Sequence, residues 1–207
     1  MAYFTHQDIL ALERSYRINL MNGASGFRPA VLVGTVNEQG QTNLAMFNSC
    51  THIGANPPLM GLLLRPPAAK QDTRTNILSS GQFSINAVTQ SIYRVAHETA
   101  SKTWRGQSEF ETCGFTPGYF KDFNAPYVDE SPIRIGLDLV EVKNIECNGT
   151  TLVIGQVQHL QIADALLDDD GHLRPDQADM VSCCGLDTYY LPQFIDRVED
   201  VSQREPR

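Results

Sequence analysis

Residues 29–66, PAVLVGTVNEQGQTNLAMFNSCTHIGANPPLMGLLLRP, consist of three apolar or alternating runs separated by turn residues. Each run is rich in apolar side chains and is bounded by Asn, Gly or Pro, a texture typical of strands. The segment therefore predicts three strands, over about 29–36, 43–54 and 57–66, with short turns between them.

Three further strands follow the same pattern. Residues 82–88, QFSINAV, predict one strand, and residues 133–146 and 150–164 predict a long hairpin, because Asn148 and Gly149 suit a two-residue type I′ turn. Hairpin-length turns or short helices join most of the strands, so the sheet is predicted to be mainly antiparallel. About six long strands can close on themselves and hide their edges, which predicts a small barrel, although periodicity alone is equally compatible with a sandwich.

Helices are predicted beside these strands. Thr5 and Asp8 form a capping-box-like start, followed by apolar residues at helical spacing, and Gly commonly follows the last turn of a helix. The predicted helices cover about residues 5–23, 72–80, 89–97 and 175–184.

The chain is predicted to form a single domain over residues 1–207. Its parts are an N-terminal helix at about 5–23, a barrel at about 28–165, and a C-terminal helix and tail at about 172–207. Residues 99–132 spread Gly, Pro and Ser among aromatic residues without a sustained period, which is typical of a lid or binding loop.

The charge and cysteine content exclude several classes of protein. With 24 acidic against 16 basic residues and a net charge of −8, the chain is expected to bind neither nucleic acid nor an anionic membrane. The five scattered cysteines do not form a disulfide framework, and no secretory signal or membrane-spanning run is recognised. We therefore expect a cytoplasmic protein with reduced thiols.

The commonest nucleotide and hydrolase motifs are missing. The sequence has no GxxxxGK loop, no GxGxxG after a strand, no HExxH and no GxSxG. Its five histidines lack paired metal-ligand spacing, so no metal site is predicted.

A polar cluster interrupts the second predicted strand. Asn48, Ser49, Cys50, Thr51 and His52 stand where apolar residues are expected. Their hydroxyls and backbone amides are candidate ligand contacts. A solvated edge strand explains the same cluster without any ligand.

A second candidate site lies at the start of the helix predicted after residue 71. Asp72 is the expected N-cap, while Lys70, Thr73 and Arg74 surround a helix N-terminus, where free N–H groups and the helix dipole favour phosphate. Asp72 would repel that phosphate and is assigned to capping. A capped helix that binds nothing is the alternative.

Together these segments resemble the flavin reductase-like proteins, which have an FMN-binding split-barrel fold. The similarity covers roughly residues 15–190 in order. It is carried by GQTNLAMFNSCTHIGANPPLMGLLLRP, KQDTRTNILSSGQFSIN, SEFETCGFTP, APYVDESPIRIGLDLVEV, TLVIGQVQHLQI and GLDTYY. The resemblance implies a mainly β, six-stranded antiparallel split β-barrel of Greek-key type with a few flanking helices.

The resemblance also implies non-covalent FMN at the interface of a homodimer. The residues that it carries over as flavin contacts are Asn48, Ser49, Cys50 and Thr51, and those near the phosphate are Lys70, Thr73 and Asn76. The helix-start argument adds Arg74. The family's variable substrate or lid side falls on His97, Lys102 and Trp104. His97 is the one catalytic candidate, with a structural role as its alternative.

The implied activity is NAD(P)H-dependent reduction of flavin, because FMN itself accepts the hydride and nicotinamide can stack on an exposed flavin face without a Rossmann domain. The reduced flavin would stay bound or pass to a partner monooxygenase. Three alternatives remain open: an FMN-binding electron carrier without NAD(P)H turnover, an enzyme whose tightly bound FMN reduces an organic acceptor, and a cofactor-free barrel.

Overall fold

The computed structural model describes residues 1–66, 72–101 and 106–198. Its helices are α1 (His6–Ala11), α2 (Arg14–Gly23), α3 (Asp72–Ser80), α4 (Tyr93–Glu98) and α5 (Glu109–Cys113), with 3₁₀ turns at Asp164–Leu166 and Pro175–Ala178. Its strands are β1 (Arg28–Pro29), β2 (Val31–Val36), β3 (Thr42–Phe47), β4 (Cys50–Ala55), β5 (Pro58–Leu64), β6 (Gln82–Ala87), β7 (Pro117–Gly118), β8 (Tyr127–Val128), β9 (Ile133–Ile145), β10 (Thr150–Ile162), β11 (Ser182–Cys184) and β12 (Thr188–Tyr190).

The main sheet of the described chain has seven strands in the order β3-β2-β6-β9-β10-β5-β4, and all its pairings are antiparallel. The mainly β, antiparallel prediction is confirmed. Seven strands replace the expected six because the run predicted as one strand over 43–54 is broken at Asn48 and Ser49 into β3 and β4. A small second sheet has the order β1-β11-β12.

Strand β2 shows how the sheet carries two cores. Leu32 packs into one buried cluster while its neighbours Val31 and Val33 pack into the other, as the two-residue period of a strand requires. The second cluster collects side chains from five strands that are successive neighbours in the sheet, β2, β6, β9, β10 and β5. The sheet therefore curves around this cluster.

The long hairpin is present, but its turn is longer than expected. Thr150 pairs with Ile145, so four residues rather than two connect β9 and β10. The N–H groups of Asn148 and Gly149 both point to the Ile145 carbonyl, and Gly149 has a φ of 74°. Glycine supplies this left-handed conformation at little cost.

The terminal helices differ from their predictions. The capping box of Thr5 and Asp8 is formed, but the helix expected over 5–23 is divided into α1 and α2. Glu13 ends the continuity because its carboxylate caps α2 through the N–H groups of Ser15 and Tyr16. The C-terminal helix expected over 175–184 is wrong: a four-residue 3₁₀ turn is followed by strand β11.

The irregular region predicted between strands contains α5 and the small β7–β8 pair. Its last part is held against the sheet through a close backbone contact. The hydroxyl of Ser84 donates a hydrogen bond to the carbonyl of Pro126 at 2.5 Å, and the Val128 N–H donates to Asn86 Oδ1 at 3.0 Å. Gly34 lies directly beneath Pro126, where a Cβ would stand 2.1 Å from the carbonyl oxygen.

Within the described ranges, none of the helices has the length and apolar character needed to cross a membrane.

Candidate functional site

A cleft of about 530 Å³ opens where the end of β3, the end of β5 and the start of α3 approach the small sheet. Its described lining residues are Asn22, Arg28, Asn43, Ala45, Met46, Phe47, Asn48, Ser49, Leu63, Leu64, Arg65, Asp72, Thr73, Arg74, His97, Ala100, Thr150, Cys183, Leu186 and Tyr189. It brings together five residues that the sequence predicted for the site: Asn48, Ser49, Thr73, Arg74 and His97.

The cleft is lined by more basic than acidic groups, although the chain as a whole is acidic. Among the described residues, Arg28, Arg65 and Arg74 face it together with the single carboxylate of Asp72. The Nε atoms of Arg28 and Arg74 are buried and have no hydrogen-bond partner within the described part of the chain. Because buried guanidinium groups normally find partners, this arrangement suits an anionic ligand.

The start of α3 forms one end of the cleft. Thr73 is 8% exposed, and its Oγ1 accepts a hydrogen bond from Asn43 Nδ2 at 3.0 Å, so the hydroxyl hydrogen is the group that it offers to a ligand. Asp72 is the first helical residue rather than the expected N-cap. Asn76 does not line the cleft: it is 5% exposed, and its Nδ2 donates to Thr35 Oγ1 at 3.1 Å.

The break between β3 and β4 forms the opposite end of the cleft. Asn48 Nδ2 donates to the Gly185 carbonyl at 2.7 Å, and the Ser49 hydroxyl donates to the Leu63 carbonyl at 2.8 Å. These bonds fix the loop that ends β3. Cys50 and Thr51 lie on the edge strand β4 and do not line the cleft. Thr51 and His52 are both exposed. In a single chain they therefore fit the alternative of a solvated edge strand.

Native protein treated with iodoacetamide at pH 8 is expected to be alkylated at Cys147 but not at Cys50. Burial raises the pKa of the Cys50 thiol to about 11, whereas Cys147 is exposed. Only the thiolate reacts, so a rise of that size from an ordinary thiol lowers the reactive fraction roughly a hundredfold at pH 8. Peptide mass spectrometry measures the two sites, and equal labelling would show that Cys50 is an accessible thiolate rather than a packing residue.

His97 lies at the end of α4 and belongs to an aromatic pair. Its Nδ1 is 2.7 Å from the Tyr189 hydroxyl, and both residues line the cleft. Burial, and then the nearby Cys183 and Asp187, raise the pKa of Tyr189 to about 12, so its hydroxyl stays protonated at neutral pH. The pair therefore offers a ligand a hydrogen-bonding group without a fixed negative charge.

The sequence reasoning missed Arg28, Asn43 and Tyr189. Arg28 occupies a two-residue strand, and Tyr189 follows a segment that was predicted to be helical. Asn43 was included only within an apolar run. The GLDTYY motif was the one signal that pointed to Tyr189, but no role was assigned to it. Lys70, Lys102 and Trp104, also predicted for the site, lie outside the described residues.

Comparisons with known proteins agree with this architecture. Residues 25–175 match the family model described as flavin reductase like domain. A split-barrel protein of Shewanella frigidimarina, named as a candidate flavin reductase, is 40% identical and superposes with a TM-score of 0.93, covering 97% of this chain and 100% of its own.

More distant proteins are also similar to this chain. Component B of nitrilotriacetate monooxygenase from Bacillus cereus is 23% identical, with a TM-score of 0.83 over 96% of this chain and 98% of its own. An uncharacterised protein of Deinococcus radiodurans is 28% identical over 176 residues, which are 81% of this chain and 76% of that protein. The resemblance seen in the sequence is confirmed, and the chain belongs to the flavin reductase like domain family, with its split-barrel fold.

Proposed function

We propose that this protein binds FMN non-covalently in the cleft and uses NADH or NADPH to reduce it. The observation that carries the proposal is the buried, unpartnered Nε of Arg74 beside Thr73, at the first turn of α3. The Arg74 guanidinium, the Thr73 hydroxyl and the backbone amides of the first turn of the helix are donors of the kind that bind a phosphate. These residues fit the phosphate end of FMN.

The ring system of FMN would lie along the end of β3. Ala45, Met46 and Phe47 offer apolar surface there, and Asn48 and Ser49 follow at the strand break. The side chains of Asn48 and Ser49 donate hydrogen bonds to the carbonyls of Gly185 and Leu63. They therefore fix the backbone at the strand break, and the backbone amides there are the groups that would contact the flavin. When bound, FMN supplies the hydride chemistry. The protein's share is to bind, orient and provide donors where negative charge develops.

A homodimer with FMN at its interface is part of the proposal. Strand β4 is an edge of the described sheet. Two apolar side chains there are exposed, Ile53 of β4 at 42% and Leu63 of β5 at 37%. An exposed apolar edge of this kind is commonly covered by another chain. Thr51 does not line the cleft of its own chain and would then reach flavin only in the dimer, whereas Cys50 packs against the second buried cluster of its own chain.

The proposed donor is tested by an anaerobic visible spectrum of the FMN-loaded protein, recorded before and after NADH and then NADPH. We expect the flavin band at about 450 nm to bleach on the timescale of turnover, because hydride transfer reduces the ring. A protein treated identically without nucleotide is the control. Binding without bleaching would contradict the reductase and leave an FMN-binding electron carrier.

The fate of the electrons is the second part of the test. Flavin that is lost on dialysis would support a diffusible product for a partner monooxygenase, whereas retained flavin would favour direct reduction of an organic acceptor. The Bacillus cereus protein is named as a monooxygenase component, which supports the first choice of partner.

A further inference from the structure

We propose that the cleft contains a second anion site, centred on Arg28, which binds the carboxylate of an organic electron acceptor. The inference rests on the proposed function in the form in which reduced flavin stays bound, because a bound acceptor is reduced only beside a retained flavin. It goes further by naming the chemical class of the acceptor and the residues that hold it.

Arg28 carries a charge that the described chain does not neutralise. Its Nη2 donates to two backbone carbonyls, of Asn22 at 2.7 Å and of Gly185 at 3.1 Å, while its Nε is buried without a partner. No carboxylate of the described residues forms an ion pair with it. A half-buried guanidinium without a counter-charge loses hydration, and a bound anion would offset that cost.

The register of the small sheet places Arg28 beside other chemically active side chains. Arg28 pairs with Cys183, and Cys183 pairs with Tyr189. Directly paired residues of an antiparallel sheet project from the same face. All three line the cleft, and Tyr189 is bonded to His97. We call these four residues, Arg28, Cys183, Tyr189 and His97, the Arg28 wall.

The Arg28 wall is remote from the proposed phosphate end. Asn43, at the start of β3, contacts Thr73, whereas Asn48, just past its end, shares the Gly185 carbonyl with Arg28. Asn48 lies five residue steps beyond Asn43, roughly 16 Å at the rise of a strand. One phosphate group cannot contact both Thr73 and Arg28. A counter-charge for Arg28 must therefore come from a second anionic group.

A carboxylate on an apolar body fits the Arg28 wall better than a phosphate does. Arg28, on a strand, supplies one positive charge without the helix amides that accompany Arg74, so a monoanion neutralises it and a phosphate dianion would exceed it. The remaining surface is apolar or neutral: the Cys183 thiol, the Tyr189 ring and the nearby Leu186. The Tyr189–His97 pair lies within the same wall and can hydrogen-bond to the group that becomes reduced.

Benzoate is the probe, titrated into the FMN-loaded protein by isothermal calorimetry. We expect saturable binding, with Arg28→Met weakening benzoate at least about tenfold and Arg28→Lys weakening it less, as for loss of one charge-assisted hydrogen bond. Benzamide has no charge, so its affinity for the wild type should be no higher than the affinity of benzoate for Arg28→Met. Arg17→Met, which removes a charge outside the cleft, is the matched control. Circular dichroism verifies that each variant is folded.

The other outcomes separate this inference from the proposed function. Equal benzoate affinity in wild type and Arg28→Met would overturn the Arg28 site, as would displacement of FMN by benzoate or tighter binding of inorganic phosphate than of benzoate. If the protein does not bind FMN, the proposed function fails, and the same titration on flavin-free protein still decides whether Arg28 holds a carboxylate.

Discussion

Replacing Thr73 by Glu is expected to weaken FMN binding about a hundredfold or more, while Thr73→Ser stays close to wild type. Thr73 is buried at the start of α3, where the proposed phosphate lies. A carboxylate there faces a like charge, and two charges about 4 Å apart repel by about 4 kcal/mol at the effective dielectric of a protein surface. Serine keeps the hydroxyl that Asn43 contacts. Quenching of FMN fluorescence gives the dissociation constants.

Riboflavin and a third variant guard this result against a folding artefact. Riboflavin lacks the phosphate, so Thr73→Glu should bind it almost as the wild type does if only the phosphate contact is lost. Thr73→Val removes the hydroxyl without adding charge and should fall between the serine and glutamate variants. FMN affinities that are equal for glutamate and serine would refute the assignment of the phosphate to this helix start.

The second large effect is expected at Gly34, where alanine should lower the free energy of unfolding by about 3 kcal/mol. A Cβ at this position would stand 2.1 Å from the Pro126 carbonyl oxygen and 2.6 Å from Ser84 Oγ. Because the obstacle is backbone, it cannot rotate away, and the segment around Pro126 must lift from the sheet. Urea unfolding followed by circular dichroism measures the loss.

The matched control for this prediction is Gly23→Ala. A Cβ at Gly23 meets only Cys184 Sγ at 3.8 Å, an ordinary contact, and the residue lies in α2. Alanine also favours helix over glycine, so we expect no loss of stability. An unfolding midpoint for Gly34→Ala equal to that of the wild type would mean that Pro126 moves without cost, against the packing described.

The sequence predicted those parts of the fold that rest on local pattern. The β9–β10 hairpin, the core strand β2 and the capping box at Thr5 all follow from residues close together in the chain, and each was found. The break at Asn48 and Ser49 was recognised as a polar cluster but not as the end of a strand. Their hydrogen bonds to Gly185 and Leu63, which fix that break, involve partners distant in sequence.

The part of the candidate site at the start of α3 was predictable from the sequence. Thr73 and Arg74 follow from the motif around α3, whereas Asn76 has the right chemistry but is turned inward to Thr35. The C-terminal helix was wrong because pairing with β1 draws residues 182–184 into a strand, a tertiary preference that overrides local propensity. Strands of two or three residues show too little periodicity to be recognised.

The Arg28 wall affects the order in which the two sides of the cleft form during synthesis of the chain. Arg28 and Gly185 are in contact across 157 positions of the chain. During translation at about 5–20 residues per second, the main sheet can be complete before Tyr189 leaves the ribosome. A nascent chain would thus hold a formed α3 end before the opposite side of the cleft is made, so enclosure of a ligand would follow completion of the main sheet.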